Sequence, residues 1–120
     1  MEPFEIVKKA CKAISDKLGE DIAVLKVGSQ TTLSDYFVIA SATSTTHLNA
    51  IADEVEFQLS KAGVEPARVE GVSGSAWILI DYNSVIVHLF LKEARGFYSL
   101  EKLWADAEKI DIEDIKKDIE

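Results

Sequence analysis

The chain has 120 residues and a mass of 13.2 kDa, which suits one compact domain and is too short for two. Its 13 basic and 21 acidic residues give a net charge of −8, which argues against direct, sequence-specific binding to nucleic acid and against binding to anionic lipid. The single cysteine excludes an internal disulfide. Neither a signal peptide nor an apolar run of membrane length is present, so we predict a cytoplasmic protein without membrane contact.

The first half of the chain alternates helical and strand patterns. Apolar side chains between residues 4 and 18 recur at three- and four-residue spacing, which predicts an amphipathic helix. Residues 22–27 predict a short strand, and the unbroken apolar run 36–40 predicts a central strand buried on both faces. Ser44 is a candidate N-cap for a second helix, whose apolar stripe extends over residues 48–62.

Three more strands are predicted in the second half of the chain. Residues 68–72 suit a short strand, whereas 77–82 and 85–91 are stronger strand patterns. Only Asn83 and Ser84 separate the last two. This predicts a hairpin with a two-residue turn, since Asn tolerates a positive φ angle.

The end of the chain is helical in pattern and strongly acidic. Apolar spacing predicts helix around residues 100–104 and again over 112–119. Two partners suit this last stripe, the domain itself or a second copy of the chain, and docking on the domain is favoured. The predicted order is αββαβββα, a single α/β domain with a mixed sheet and helices packed on one face. We divide the chain into a domain over residues 1–107 and an acidic C-terminal helical tail over 108–120.

The predicted hairpin sorts its side chains onto two faces of the sheet, because side chains alternate along a strand. The face expected to carry the helices is apolar and holds Ile78, Ile80, Tyr82, Val85, Val87 and Leu89. The other face is mixed and holds Trp77, Leu79, Asp81, Ile86, His88 and Phe90. Either residues 97–107 fold over the mixed face and make Trp77 a core residue, or Trp77 and its neighbours stay partly open as a binding patch. The composition favours the binding patch, since Trp is enriched at interface hot spots.

Catalytic and metal sites have little support in the sequence. The two histidines have no further ligands at metal-binding spacing, and we expect His88 to be a sheet residue partnered by Asp81 or solvent. The Gly-Ser pair at 28–29 followed by Asp35 partly matches nucleotidyltransferases, which hold two Mg²⁺ ions with an Asp-x-Asp pair. The second acidic position is Phe37, which cannot bind Mg²⁺. We therefore predict no cofactor, no metal and no enzymatic activity.

Four stretches, in this order, resemble the Iojap-related ribosomal silencing factors. They are SDYFVIAS at 34–41, WILIDY at 77–82, VH with F at 87, 88 and 90, and FYSLEKLW followed by DA at 97–104 and 106–107. The resemblance implies a nucleotidyltransferase-like fold without the catalytic acids. It also implies a translation repressor that binds large-subunit ribosomal protein fourteen, sterically blocks joining of the ribosomal subunits, and is a homodimer when free. The alternative function is a large-subunit assembly or maturation factor.

The resemblance further implies which residues contact the ribosome. The implied contact residues are Trp77, Leu79, Asp81, His88, Tyr98, Leu100, Glu101 and Trp104. Trp77 and Tyr98 would be apolar anchors, and Asp81 or Glu101 would pair with Lys or Arg of the partner. The hairpin turn is Asn83-Ser84 where the family usually has Gly-Asp, so an acidic contact from the second turn position is absent.

Overall fold

The computed structural model describes residues 1–29, 31–32, 34–71 and 75–119, with the backbone alone for 97, 98 and 119. Its helices are α1 (Pro3–Asp16), α2 (Thr45–Lys61), α3 (Lys92–Tyr98), α4 (Leu100–Leu103) and α5 (Ile112–Ile119). Its strands are β1 (Glu20–Lys26), β2 (Tyr36–Ala42), β3 (Arg68–Glu70), β4 (Trp77–Asp81), β5 (Val85–Leu91) and β6 (Glu108–Ile110). The single mixed-sheet α/β fold predicted from the sequence is confirmed.

The six strands form one sheet in the order β3-β4-β5-β2-β1-β6. β2 and β5 pair in parallel, and every other neighbouring pair is antiparallel. β2 therefore lies inside the sheet, and six of its seven residues are buried, as its unbroken apolar run predicts. Val72, predicted to end the third strand, lies outside the described residues.

The hairpin of β4 and β5 has the predicted register. Leu79 lies opposite His88, and Asp81 lies opposite Ile86. Asn83 has a φ angle of 68°, which its short polar side chain tolerates at low cost, so the two-residue turn closes as expected. A correct register over five pairs fixes which side chains share each face of the sheet.

The larger core lies between the sheet and the layer of α1, α2 and α5. It contains all six side chains assigned to the apolar face of the hairpin: Ile78, Ile80, Tyr82, Val85, Val87 and Leu89. Ser44 caps α2, since its hydroxyl accepts a hydrogen bond from the backbone N–H of His47 at 3.1 Å. The helices thus take their places from apolar stripes and, for α2, also from the Ser44 cap.

After β5 the chain departs from the purely helical pattern predicted for its end. It forms the two short helices α3 and α4, then the edge strand β6, which pairs with β1 through Val24 and Ile110, and then α5. A three-residue strand is too short to show a periodic pattern, and its partner lies more than eighty positions earlier. Ile115 is buried against the helix-side core, so the predicted docking of the last stripe is confirmed at this residue.

Cys11 is predicted to be unreactive in the folded chain. Its thiol is fully buried, and burial raises its pKa from 9.0 to about 12, so little thiolate forms near neutral pH. We expect a colorimetric disulfide reagent to react roughly a hundredfold or more slower with the native chain than with the chain in guanidinium. Rapid stoichiometric reaction of the native chain would show that the packing of α1 on the larger core does not bury this thiol.

Candidate functional site

The sheet face opposite α1 and α2 is only partly covered. Ala94, Leu100 and Trp104, from α3, α4 and the residue after them, pack on a second and smaller core of this face. Its buried members are Leu25, Val27, Phe37, Ile39, Ile86, Phe90 and Ala107. Trp77 and Leu79 pack against the same core and keep part of their surface exposed. The two alternatives for this face are therefore both partly realised.

Stacked and edge-on rings order this second core. The Trp77 ring stacks on Phe90 with centroids 5.0 Å apart, and Phe37 meets His88 and Trp104 edge-on at 4.8 and 5.3 Å. Phe37, at the position where a nucleotidyltransferase would have its second acid, thus connects the hairpin with the segment after α4. The partly exposed rings are held by buried ones, which makes this surface rigid.

His88 positions the Trp77 ring. Its side chain is 5% exposed, and its Nδ1 accepts a hydrogen bond of 3.3 Å from the indole Nε1–H of Trp77. The sequence analysis expected Asp81 or solvent to be the hydrogen-bond partner of His88, whereas in the structure the partner is Trp77. With Nδ1 as the acceptor, the neutral ring bears its proton on Nε2, which is buried and has no hydrogen-bond partner among the described residues. His88 therefore supports the surface from behind.

The stability of the chain is predicted to fall on mild acidification because of His88. Burial lowers the pKa of its imidazole from 6.5 to about 4, and the nearby Asp81 charge opposes this only in part. Below pH 6.5 the unfolded chain binds a proton that the folded chain does not, so the free energy of unfolding falls as the pH falls. We expect a loss of about 2 kcal/mol between pH 7 and pH 5 from this group, measured by urea unfolding.

Substitution separates this effect from carboxylate titration. His88→Phe keeps a ring in the cluster and removes the titrating group, so between pH 7 and pH 5 its free energy of unfolding should fall by about 2 kcal/mol less than that of the parent chain. His47→Gln removes the other histidine at the start of α2 and serves as the matched variant, in which the slope should persist. An unchanged slope in His88→Phe would assign the acid sensitivity to other groups.

The carboxylate of Asp81 already has partners within the chain. Its Oδ2 accepts from the Arg68 Nε at 3.2 Å, and its Oδ1 accepts from the backbone N–H of Asn83 at 2.8 Å. Arg68 also pairs with Glu70 at 3.0 Å between Nη1 and Oε1. A basic group of a partner would have to compete with Arg68 for Asp81. The sequence analysis missed Arg68 and Glu70, which reach this face because they lie opposite Asp81 and Leu79.

A small cavity opens beside Trp77. It measures about 220 Å³ and is lined by Glu70, Gly71, Trp77 and Leu79. Gly71 has a φ angle of 93°, and a Cβ atom there would lie 2.4 Å from the backbone oxygen of Trp77. The backbones of Gly71 and Trp77 approach each other so closely that position 71 needs a glycine. This close approach shapes the cavity wall.

Glu101 is paired within the chain and ties α4 to the sheet. Its Oε1 accepts from the Nε of Arg95 at 2.9 Å. Nη1 of the same arginine donates to the backbone oxygen of Asp21 at 2.5 Å and to Ser41 Oγ at 2.9 Å. The arginine side chain is only 14% exposed, so the guanidinium at the centre of this charge-assisted network is largely shielded from water.

The short helix α4 exposes one apolar side chain, Leu103, that the sequence analysis did not assign to the site. Leu100 and Trp104 are partly buried in the second core, whereas Leu103 is 75% exposed. A helix of four residues has no second turn from which periodicity could separate these side chains. The side chain of Tyr98, a predicted contact residue, lies outside the described part of the structure.

Two classes of feature are absent from the part of the chain that the structure describes. No group of three or more His, Cys, Asp or Glu side chains is placed to hold a metal ion there. No helix among these residues is both long enough and apolar enough to cross a lipid bilayer.

Fold and site together define a single mixed-sheet α/β domain whose incompletely covered sheet face bears an ordered aromatic cluster. The model of the family RsfS, described as ribosomal silencing factor during starvation, matches residues 1–120. The chain belongs to this family, which confirms the resemblance seen in the sequence. The family is named for ribosome silencing, a regulatory role, and not for a chemical reaction.

Named relatives and solved structures agree with this family. The chain is 37% identical over 113 residues to the ribosomal silencing factor RsfS of Bacillus subtilis (strain 168), covering 94% of this chain and 96% of that protein. It is 39% identical over 87 residues to the Mus musculus protein named mitochondrial assembly of ribosomal large subunit protein 1, covering 70% of this chain and 38% of that protein.

Two solved structures share the fold. A crystal structure of a protein from Chromobacterium violaceum has a TM-score of 0.85 and 35% identity, with 88% of each chain covered. A crystal structure from Bacillus halodurans has a TM-score of 0.80 and 33% identity, covering 90% of this chain and 98% of the other.

Proposed function

We propose that this chain represses translation by binding the large ribosomal subunit through ribosomal protein fourteen and sterically blocking the joining of the small subunit. The contact face of this proposal consists of Trp77, Leu79, Asp81, His88, Tyr98, Leu100, Glu101 and Trp104. His88 acts there through Trp77. The proposal includes no chemical step, and it assigns the chain no cofactor and no enzymatic activity. The chain would act in the cytoplasm, where it meets the ribosome.

The observation that supports this proposal best is the partial exposure of Trp77 and Leu79 above a rigid aromatic core. Apolar surface with a charged rim, here Arg68, Glu70 and Asp81, is typical of protein-binding sites. The relatives named ribosomal silencing factor RsfS support the ribosome as the target. Because the chain has a net charge of −8, a basic ribosomal protein would attract it and ribosomal RNA would repel it.

Co-sedimentation with purified large subunits, followed by addition of small subunits, tests this function. We expect the chain to sediment with large subunits at low salt, to be released progressively by salt, and to lower the yield of joined ribosomes. Binding that leaves the yield of joined ribosomes unchanged would contradict the steric block. Failure to bind at low salt would contradict the ribosomal target.

A second candidate function is an assembly or maturation factor for the large subunit. The relative named mitochondrial assembly of ribosomal large subunit protein 1 favours it, since it matches 70% of this chain. Sucrose gradients of a deletion strain separate the two functions. Accumulated large-subunit precursors would favour assembly, whereas mature large subunits with excess joining under starvation would favour silencing.

We also propose that the free chain forms a homodimer. Leu103, which directly precedes Trp104 of the contact face, is exposed, and Trp77 is partly exposed, so two copies could associate through these apolar side chains with twofold symmetry. Light scattering at high protein concentration should then give twice the 13.2 kDa of one chain. Monomers alone at that concentration would contradict the dimer.

A further inference from the structure

A groove between α1 and α2 lies on the helix layer, on the opposite side of the sheet from the contact face. Its volume is about 430 Å³, and its lining includes Lys9, Lys12, Lys61 and Phe57. The helix layer packs on the larger core, whereas Trp77 belongs to the smaller core of the other face. The α1–α2 groove therefore plays no part in the proposed function, and both surfaces can be occupied at once.

The charge of the α1–α2 groove is opposite to that of the whole chain. Three lysines and one carboxylate, Glu54, line it, although the chain has a net charge of −8. Lys12 pairs with Asp16 at 2.8 Å. Lys9 and Lys61 have no ion-pair partner among the residues that the structure describes. Two ammonium groups are thus available to an incoming anion.

An exposed aromatic ring accompanies these lysines. Phe57 is 58% exposed and lies outside the apolar stripe by which α2 packs on the core. The Nζ atom of Lys61 lies 5.3 Å from the centre of its ring. A large aromatic ring that is exposed to water does not gain the free energy of burial. A partner that covers the ring on binding gains this free energy. The ring is therefore an exposed apolar anchor in a groove that three lysines and Glu54 line.

The size of the groove favours one kind of occupant. Lysines around a phenylalanine complement carboxylates around an apolar side chain. A long polyanion such as RNA would extend past the groove and meet the acidic side of α2, where Asp53 and Glu56 lie. We propose that the α1–α2 groove binds a short acidic segment of a partner protein, one that presents Asp or Glu side chains around an apolar residue.

A labelled acidic peptide tests the proposal. The probe is a fluorescein-labelled octapeptide with six Asp and Glu residues flanking a central Leu-Phe pair, and binding to the full chain is measured by fluorescence anisotropy. The double variant Lys9→Glu/Lys61→Glu should bind it about tenfold or more weaker, because two attractive charges become repulsive. Phe57→Ala should also bind it several-fold weaker. These positions are not buried, so the fold should survive, which circular dichroism checks.

A matched variant separates the groove from net charge. Lys102→Glu/Lys109→Glu makes the same change in total charge at two exposed positions elsewhere, and its affinity should change less than about threefold at physiological salt. Equal losses in both double variants would overturn the proposal in favour of nonspecific attraction. Tighter binding of a labelled uridine octanucleotide than of the peptide would overturn it in favour of RNA. Absence of peptide binding would overturn it outright.

Discussion

Trp77→Ala should weaken binding to the large ribosomal subunit by about thirtyfold or more, the loss typical of an aromatic hot spot. The indole stacks on Phe90 and is held through its N–H by His88, so it is presented to a partner in one orientation. A side chain fixed before binding loses little conformational entropy on binding. Sedimentation of the variant with purified large subunits over a concentration series measures the loss.

Two further variants make this result specific. Phe57→Ala removes an exposed aromatic ring from the opposite side of the sheet and should leave large-subunit binding within about twofold of the parent chain. Leu79→Ala removes a second partly exposed apolar side chain of the contact face and should weaken binding by a smaller factor. Unchanged binding in both Trp77→Ala and Leu79→Ala would place the ribosome contact elsewhere on the molecule.

The hairpin is the part of the fold that local sequence predicts in most detail. Its two-residue turn at Asn83 and Ser84 leaves one way to pair β4 with β5, and the register then assigns every side chain to a face. Pairing between distant segments has no such local determinant. β6 joins the edge of β1 through three residues, and β2 pairs with β5 only after a helix and two strands intervene.

The candidate site was only partly predictable for the same reason. Trp77 and Leu79 follow from the hairpin alone, and their partial exposure agrees with the mixed composition of that face. Arg68 joins them only because β3 pairs with β4, a neighbour relation that the sequence pattern does not specify. The hydrogen bond from Trp77 to His88 depends on side-chain rotamers, and the alternation of side chains along a strand does not determine rotamers.

Intramolecular charge pairs change how the contact face can recognise a partner. Asp81 is held by Arg68, and Glu101 is held by Arg95, so neither carboxylate is an unpaired acid awaiting a basic group. Recruiting Glu101 would also loosen the arginine that ties α3 and α4 to the sheet. Affinity should therefore come mainly from the apolar residues, whereas the salt dependence of binding should come from the net charge of the chain.

Gly71→Ala should destabilise the chain by about 3 kcal/mol or more and weaken ribosome binding in parallel. A Cβ atom at this position would lie 2.4 Å from the Trp77 backbone oxygen and 3.0 Å from the Ile78 Cα atom. Both neighbours are backbone, so no change of rotamer can relieve the clash. The positive φ angle of 93° adds strain for any residue with a side chain. Urea unfolding measures the loss of stability, and indole fluorescence reports displacement at the second core, against which both Trp77 and Trp104 pack.

Gly63→Ala is the matched variant, since it shares the backbone conformation without the close approach. Gly63 has a φ angle of 85°, and a Cβ atom there would meet nothing within 4 Å. Its cost should be about 1 kcal/mol, from conformational strain after the end of α2, with ribosome binding unchanged. The difference in destabilisation between Gly71→Ala and Gly63→Ala measures the cost of the steric clash at the wall of the cavity beside Trp77. Equal costs would mean that β3 does not approach Trp77 this closely in solution, and the cavity would then not belong to the contact face.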